Sequence, residues 1–296
     1  MPAMMTTMRH SLGWIVAALA AAGGMTAAEP AWRPLFNGRD LTGWETFLSK
    51  PDPAWSVPGL KRDEKGKYLE PIGRNRDPLK VFGVEIVDGQ PAVHVSGQGF
   101  GVMTTEESWE NFRVRLQVKW GERKWGSKLN ASRDCGLLYW VHGEPGFDHE
   151  TWPRSIEFQI QEHDMGDLYA LGAQVTVNAR PTTVNGKVLY LYDPAAPPVL
   201  FVQKLPVGNR CVRLVDAERP HGEWNTLELI CWHGDSIHVV NGRVVMRLHR
   251  AERLDGAAPA PITAGKISLQ TEGAEVFYRA IEVQTITSVP PEFAEK

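Results

Sequence analysis

Strict apolar and polar alternation constrains what this chain can fold into more than any other feature of it. Phe112, Val114, Leu116, Val118 and Trp120 alternate with Arg113, Arg115, Gln117 and Lys119. Successive side chains of an extended segment point to opposite sides, so this run predicts a strand with one wet face. Similar short runs occur at 83–87, 92–95, 136–141, 156–162, 174–177, 187–192, 226–232, 266–271 and 275–283, mostly separated by Gly, Pro, Asn or Asp. Two more, Ser236–Val240 and Arg243–Leu248, flank Asn241-Gly242. That pair predicts a type I′ hairpin turn, because both central residues need positive φ. Helical periodicity is scarce. The pattern is all-β, with many short antiparallel strands forming a sandwich or jelly roll.

The first residues follow a different rule. Arg9 and His10 precede an apolar run from Leu12 to Ala22, and small residues end in Thr26-Ala27-Ala28. This reads as a secretory signal peptide over 1–28, cleaved after Ala28. The apolar run is too short for a bilayer core of about 30 Å, so no membrane span is expected. The protein is expected to be exported, to the periplasm or beyond the cell, with 29–296 forming a single β-sandwich domain. A formal net charge of -3 argues against a nucleic-acid partner, which calls for a basic stripe. Cys135, Cys211 and Cys231 are odd in number. No disulfide is assigned to them, and packing accounts for Cys135 and Cys231, which sit in strand-like runs.

Two segments read as long loops: 50–80, rich in Pro and charge, and 121–134. Long loops on a sandwich often build its binding site. Of 11 Trp, several fall outside strand cores, among them Trp109, Trp125 and Trp152. An exposed indole face would suit the C–H face of a sugar, but ordinary packing is the favoured reading for most of them, including Trp120 and Trp232. Asp40 and Trp44 read as fold determinants, and Trp224 as the anchor of a core strand.

Chemistry concentrates in Trp152–Asp164. Alternation puts Glu157, Gln159 and Gln161 on one face and Ile156, Phe158 and Ile160 on the other. Glu162 falls on the inward side unless a β-bulge re-aims it. Acid–base work needs titratable groups that converge from rigid elements with separated pKa values. Glu157, Glu162, His163 and Asp164 are the candidates, and a charged turn after a solvated strand is the structural alternative. Tyr139 reads equally as a cleft or a core residue, and His142 follows the same strand. His142, His149 and His163, with Asp148, Glu150 and Asp164 nearby, leave a divalent metal open, although no ligand spacing is diagnostic. His94, His221, His233, His238 and His249 read as structural. No nucleophile elbow, phosphate loop or dinucleotide fingerprint is present.

The spacing Glu157-x-Gln159-x-x-Glu162 resembles the Glu-x-Asp-x-x-Glu strand of laminarinase-type retaining glycoside hydrolases. Gln159 stands where that family has Asp. In those enzymes the first Glu is the nucleophile and the last the acid/base, and two such carboxyls sit about 5–5.5 Å apart. A closer resemblance covers nearly all of 29–296. Leu35-Phe36-Asn37-Gly38-Arg39-Asp40-Leu41-Thr42-Gly43-Trp44 is similar to the opening of the 3-keto-disaccharide hydrolase family, also described as 3-keto-glucoside 1,2-lyase / 3-keto-2-hydroxy-glucal hydratase domains. Asn111-Phe112, Asp134-Cys135-Gly136-Leu137-Leu138-Tyr139, Ser155–Glu162, Gly222–Thr226, Asn241-Gly242, Gly265–Gln270 and Phe277-Tyr278-Arg279 follow in family order. Cys135 replaces a Ser common there.

The resemblance implies a concanavalin A-like jelly-roll β-sandwich of two antiparallel sheets that acts on sugars oxidised at C3. The C3 ketone acidifies the C2 proton. A base removes it, the C1 substituent leaves, and water adds to the resulting 2-hydroxy-glucal. Glu157 or His163 is then the base and Glu162 the other acid/base partner. Gln159 and Arg154 would bind hydroxyls or the enolate, and Tyr139, His142, Trp152 and Asp164 would complete the substrate contacts. The alternatives are a conventional retaining hydrolase and a non-catalytic carbohydrate-binding module.

Overall fold

A computed structural model describes residues 30–295, so the signal-peptide expectation over 1–28 lies outside the described residues. Two antiparallel sheets stack face to face, one of twelve strands and one of eight. They form a concanavalin A-like jelly-roll sandwich. No helix among the described residues is long and apolar enough to cross a membrane.

The alternating segment becomes strand Phe112–Lys124, paired with Asn225–Trp232 on one side and Ala274–Thr285 on the other. Its apolar side chains are buried between the sheets. Its basic ones lie outside in cross-strand pairs, Arg113 with Glu228 at 2.8 Å and Arg115 with Glu282 at 2.7 Å. Asn241 and Gly242 both take positive φ, 49° and 77°, and close the hairpin between Asp235–Val240 and Arg243–Arg253. All three cysteines are free and buried. Trp44 is buried, with Nε1 donating to the Leu35 carbonyl at 2.7 Å. Asp40 accepts from the Thr42 amide at 3.0 Å in its turn. Trp224 corrects its expectation. It lies half-buried on the outside of the large sheet, donating to Asp88 at 2.7 Å with Arg279 stacked over its ring at 3.9 Å.

The eight-stranded sheet carries the site. From one edge its order is Arg210–Cys211, Leu168–Leu171, Arg154–Gln159, Gly136–His142, Lys266–Glu272, Phe100–Thr105, Trp44–Leu48 and Gly73–Arg74. Its inner face supplies Met103, Leu137, Ile156 and Phe158 to the core. Polar bonds cross that core: Tyr139 Oη meets Ser236 Oγ at 2.8 Å and His238 Nε2 at 3.0 Å, and Cys135 Sγ meets Tyr278 Oη at 3.0 Å. A buried polar group is costly unless partnered, so these bonds hold the two sheets in register. Tyr139 is therefore a core residue.

Candidate active site on the outer face of the small sheet

Glu157, Gln159 and Gln161 do share a face, and that face lines a hollow of about 350 Å³. The hollow is built by cross-strand neighbours. Glu157 pairs with Leu138 on one side and Tyr169 on the other. Gln159 lies opposite Gly136. On the next strand Ser268, Gln270 and Glu272 alternate onto the same outer face. Gly136 is the notch between them. A Cβ there would sit 2.2 Å from Glu157 Oε1 and 2.7 Å from Gln270 Oε1, so only the missing side chain lets the two meet above the strand. Trp152 and Phe100 form an apolar wall, their rings stacked at 6.1 Å.

The charges are unusual for a buried place. Asp134, Asp148, Glu157 and Glu272 all line the hollow. Glu157 is 5% exposed. Burial, reinforced by the carboxylates of Glu272, Asp134 and Asp148, holds it well above the usual carboxylate range. Burial and the neighbouring Asp134 push Glu272 up to about 7, against the pull of Lys128. Asp134 is raised too, by burial, with Lys128 opposing. Lys128 bonds Asp134 and stands 3.3 Å from Glu272. Burial alone would lower its pKa, but the two carboxylates override it and raise it. One cation thus faces an acidic pair that favours holding a proton. Asp148 accepts from Gln203 Nε2 at 2.8 Å and meets His149 Nδ1 at 2.6 Å, which pins the loop ahead of Trp152. Gln159 Oε1 is taken by the Ile160 amide at 2.9 Å and the Gln161 amide at 3.3 Å, so its NH₂ is the free end.

The other expected site residues go elsewhere. The strand ends at Gln159, and the bulge that would have re-aimed Glu162 does not form there. Glu162 lies in the following turn, paired with Arg133 Nη1 at 2.8 Å and accepting the Arg133 amide at 2.8 Å. His163 is exposed at φ 68°, its carbonyl bonded by Arg213 and its amide donating to Glu218 at 2.7 Å. Asp164 is held by Arg210 at 2.8 Å and Arg213 at 3.3 Å. Arg154 stacks on Phe147 at 4.1 Å and does not line the hollow. Trp152 and His149 line it, whereas His142 lies in a second hollow on the same face. The three histidines considered for a metal therefore do not converge. Among the described residues no three His, Cys, Asp or Glu side chains come together as an ion site.

Asp134, Gln270, Glu272 and Lys128 were not anticipated as site residues. Ser268, Gln270 and Glu272 carry the same period-two polar signal as Glu157, Gln159 and Gln161, and the same test finds them. Lys128 and Asp134 sit at a loop and its end, where no periodicity points.

Residues 31–284 match the family model of the 3-keto-alpha-glucoside-1,2-lyase-like domain. No curated protein sequence matches the chain. Similar solved structures include a candidate glycosyl hydrolase from Parabacteroides distasonis ATCC 8503, with 18% identity, a TM-score of 0.46, and 86% of this chain and 94% of that one covered. The Bacillus licheniformis beta-glucanase has 9% identity and a TM-score of 0.39, with 87% and 98% covered. The Bacillus subtilis carbohydrate-binding module CBM66 has 9% identity and a TM-score of 0.38, with 69% and 91% covered.

Proposed function

The chain belongs to the 3-keto-alpha-glucoside-1,2-lyase-like domain family, and on that premise we propose that it cleaves glucosides already oxidised at C3. One observation carries the reading: a buried, proton-retaining Glu157 shares a hollow with Glu272, whose pKa of about 7 suits a base at neutral pH. Ionised Glu272 takes the C2 proton, and the electron pair passes into the C2–C3 bond and onto the ketone oxygen. As the enolate collapses, the C1–oxygen bond breaks and neutral Glu157 protonates the departing oxygen. The product is a 3-keto-2-hydroxy-glucal. Water adding at C1 completes a net hydrolysis. The NH₂ group of Gln159 is the hydrogen-bond donor for a sugar hydroxyl or the developing enolate, and the unpartnered Oε1 of Gln270 is an acceptor for a hydroxyl.

This assignment moves the base from Glu157 or His163 to Glu272 and the acid/base partner from Glu162 to Glu157; His163 is exposed in the turn and does not line the hollow. Retaining hydrolysis through Glu157 and Glu162 lacks support, because Glu162 is bound to Arg133 outside the hollow. The reading includes export, from the leader pattern over 1–28. The test is product analysis on a 3-keto-glucoside and its unoxidised parent, with deuterium at C2. Turnover of the keto form alone, slowed by C2 deuteration and lost in Glu157→Gln, is expected. Equal cleavage of the unoxidised glucoside with no isotope effect would overturn it.

A further inference from the structure

A larger hollow, of about 510 Å³, opens on the same outer face and has no part in the proposed chemistry. Its lining includes Glu45, Arg74, Thr104, His142, Glu144 and Lys266. We propose that it is a distal subsite for a neutral, hydroxyl-rich segment of the substrate, so that the preferred substrate is a 3-keto-oligosaccharide longer than a disaccharide. The inference rests on the glycoside-cleaving reading above and extends it to substrate length.

Charge selects the ligand class. Arg74 bonds Glu144 and stands 3.0 Å from Glu45, and Lys266 is 3.8 Å from Glu45. Two cations offset two carboxylates, so an anion meets Glu45 and Glu144 and a cation meets Arg74 and Lys266. A polyol offers both donors and acceptors. Exposed ion pairs of this kind are weak, so their atoms are available to exchange partners with hydroxyls. His142 Nε2 is buried without a hydrogen-bond partner, while its Nδ1 meets the Trp140 carbonyl at 2.9 Å.

The backbone has a defined irregularity at this place. Trp140 takes φ 51°, and register slips on both sides of it, between Tyr139 and His142 and between Lys266 and Ser268. This is a β-bulge, which turns Trp140 into the core and brings Val141 to the outer face beside Leu138. A bulky residue at positive φ is strained, and such strain persists where surrounding structure demands it. Gly265 permits the bulge, since a Cβ there would lie 2.4 Å from the Trp140 backbone.

One continuous cross-strand row joins the two hollows: Glu45, Thr104, Ser268, Leu138 and Glu157 are successive register partners. Four strand spacings separate Glu45 from Glu157, about 19 Å. That is longer than two linked pyranose rings. Between the hollows Leu138 and Ser268 are fully buried, and the Thr104 and Ser268 hydroxyls bond each other at 2.7 Å, so a bound chain passes over the row and takes its contacts in the two hollows.

The experiment compares KM across cello- and malto-oligosaccharides oxidised at C3 of the non-reducing glucose, from disaccharide to tetrasaccharide. In the series that is turned over, KM should fall at least tenfold with length. Arg74→Met and Lys266→Met, both on the partly exposed rim, should each erase most of that gain. A KM independent of length, or a gain that survives both substitutions, overturns the subsite. If neither series is turned over, calorimetry with the unoxidised tetrasaccharides decides. Binding lost in Arg74→Met keeps the subsite while the proposed reaction falls, and no binding removes the subsite as well.

Discussion

Gly136→Ala separates the geometry of the hollow from the stability of the fold. Gly136 does not take positive φ, so alanine is backbone-compatible. Its Cβ would lie 2.2 Å from Glu157 Oε1 and 2.7 Å from Gln270 Oε1, where ordinary contact begins at 3.4 Å. Both atoms end flexible side chains, so the carboxyl group must retreat by about 1 Å while the strands stay in place. Replacing glycine at a compatible position reduces unfolded-chain entropy, worth roughly 0.4–1 kcal/mol. The melting temperature should therefore stay within about 3 °C of wild type. A misplacement of about 1 Å in a reacting group costs on the order of 100-fold in rate, or about 2.7 kcal/mol. The assay is kcat/KM on a 3-keto-glucoside beside thermal unfolding. The double variant Gly136→Ala, Glu157→Asp draws the carboxyl group back by one methylene and should recover part of the lost activity over the single alanine change. Wild-type turnover in Gly136→Ala would refute the notch. So would a large loss of stability accompanying the loss of turnover, because the strand would then have moved. Gly101→Ala supplies the contrast: its Cβ would sit 2.1 Å from the Phe47 backbone carbonyl, so a strand must shift and stability should fall.

The pH profile of kcat/KM should rise through about pH 7 as Glu272 ionises and fall at higher pH as Glu157 loses its proton; Glu272→Gln should remove the rising limb together with most activity. Stability should follow the same group. With its folded pKa raised to about 7 from an ordinary 4.5, Glu272 favours the native state fully below pH 4.5, and that contribution declines as pH rises toward 7. Urea titrations of wild type and Glu272→Gln should differ in slope over that window, and identical slopes would remove Glu272 as the cause. His238 acts in the opposite direction. Burial lowers its pKa to about 4 from 6.5, so stability is lost as pH falls from 6.5 toward 4, by up to about 3 kcal/mol. His238→Gln should flatten that acid limb, and unchanged acid unfolding would show that His238 is not responsible. Lys128→Met should move the rising limb of the activity profile to higher pH, because it removes the cation that opposes proton retention by Glu272; a profile that does not move would refute that role.

Sandwich architecture was legible because its signals are local. Period-two burial along Phe112–Trp120 and the two positive φ values at Asn241-Gly242 depend on neighbours in sequence. The polar face of Glu157, Gln159 and Gln161 was legible for the same reason. What failed was the step from proximity in sequence to convergence in space. Glu162 and His163 follow Glu157 closely, yet Gln159 Oε1 caps the Ile160 and Gln161 amides as the strand ends. Beyond that turn, Glu162 belongs to Arg133, which the connection from 125 to 135 delivers; the strand runs on to Lys124, so this loop is shorter than the 121–134 expected from the sequence. Alternation could not foresee that partner, because alternation describes strands and the partner comes from a loop.

The same distinction explains where the real partners of Glu157 come from. In an antiparallel sheet, residues that act together lie across strands, at positions set by register. Gln270 and Glu272 reach Glu157 and Asp134 only because Leu269 pairs with Leu137 and Leu137 with Phe158. A one-residue slip in either pairing would send the polar faces of adjacent strands to opposite sides of the sheet. The cross-core bonds of Tyr139 and Cys135, which touch no part of the hollow, tie the Gly136–His142 strand and its lead-in to the large sheet on the other side of that same register. The acidic site is therefore a property of strand pairing. The residue that makes it usable is Gly136, opposite Gln159, where any side chain would occupy the space in which Glu157 and Gln270 meet.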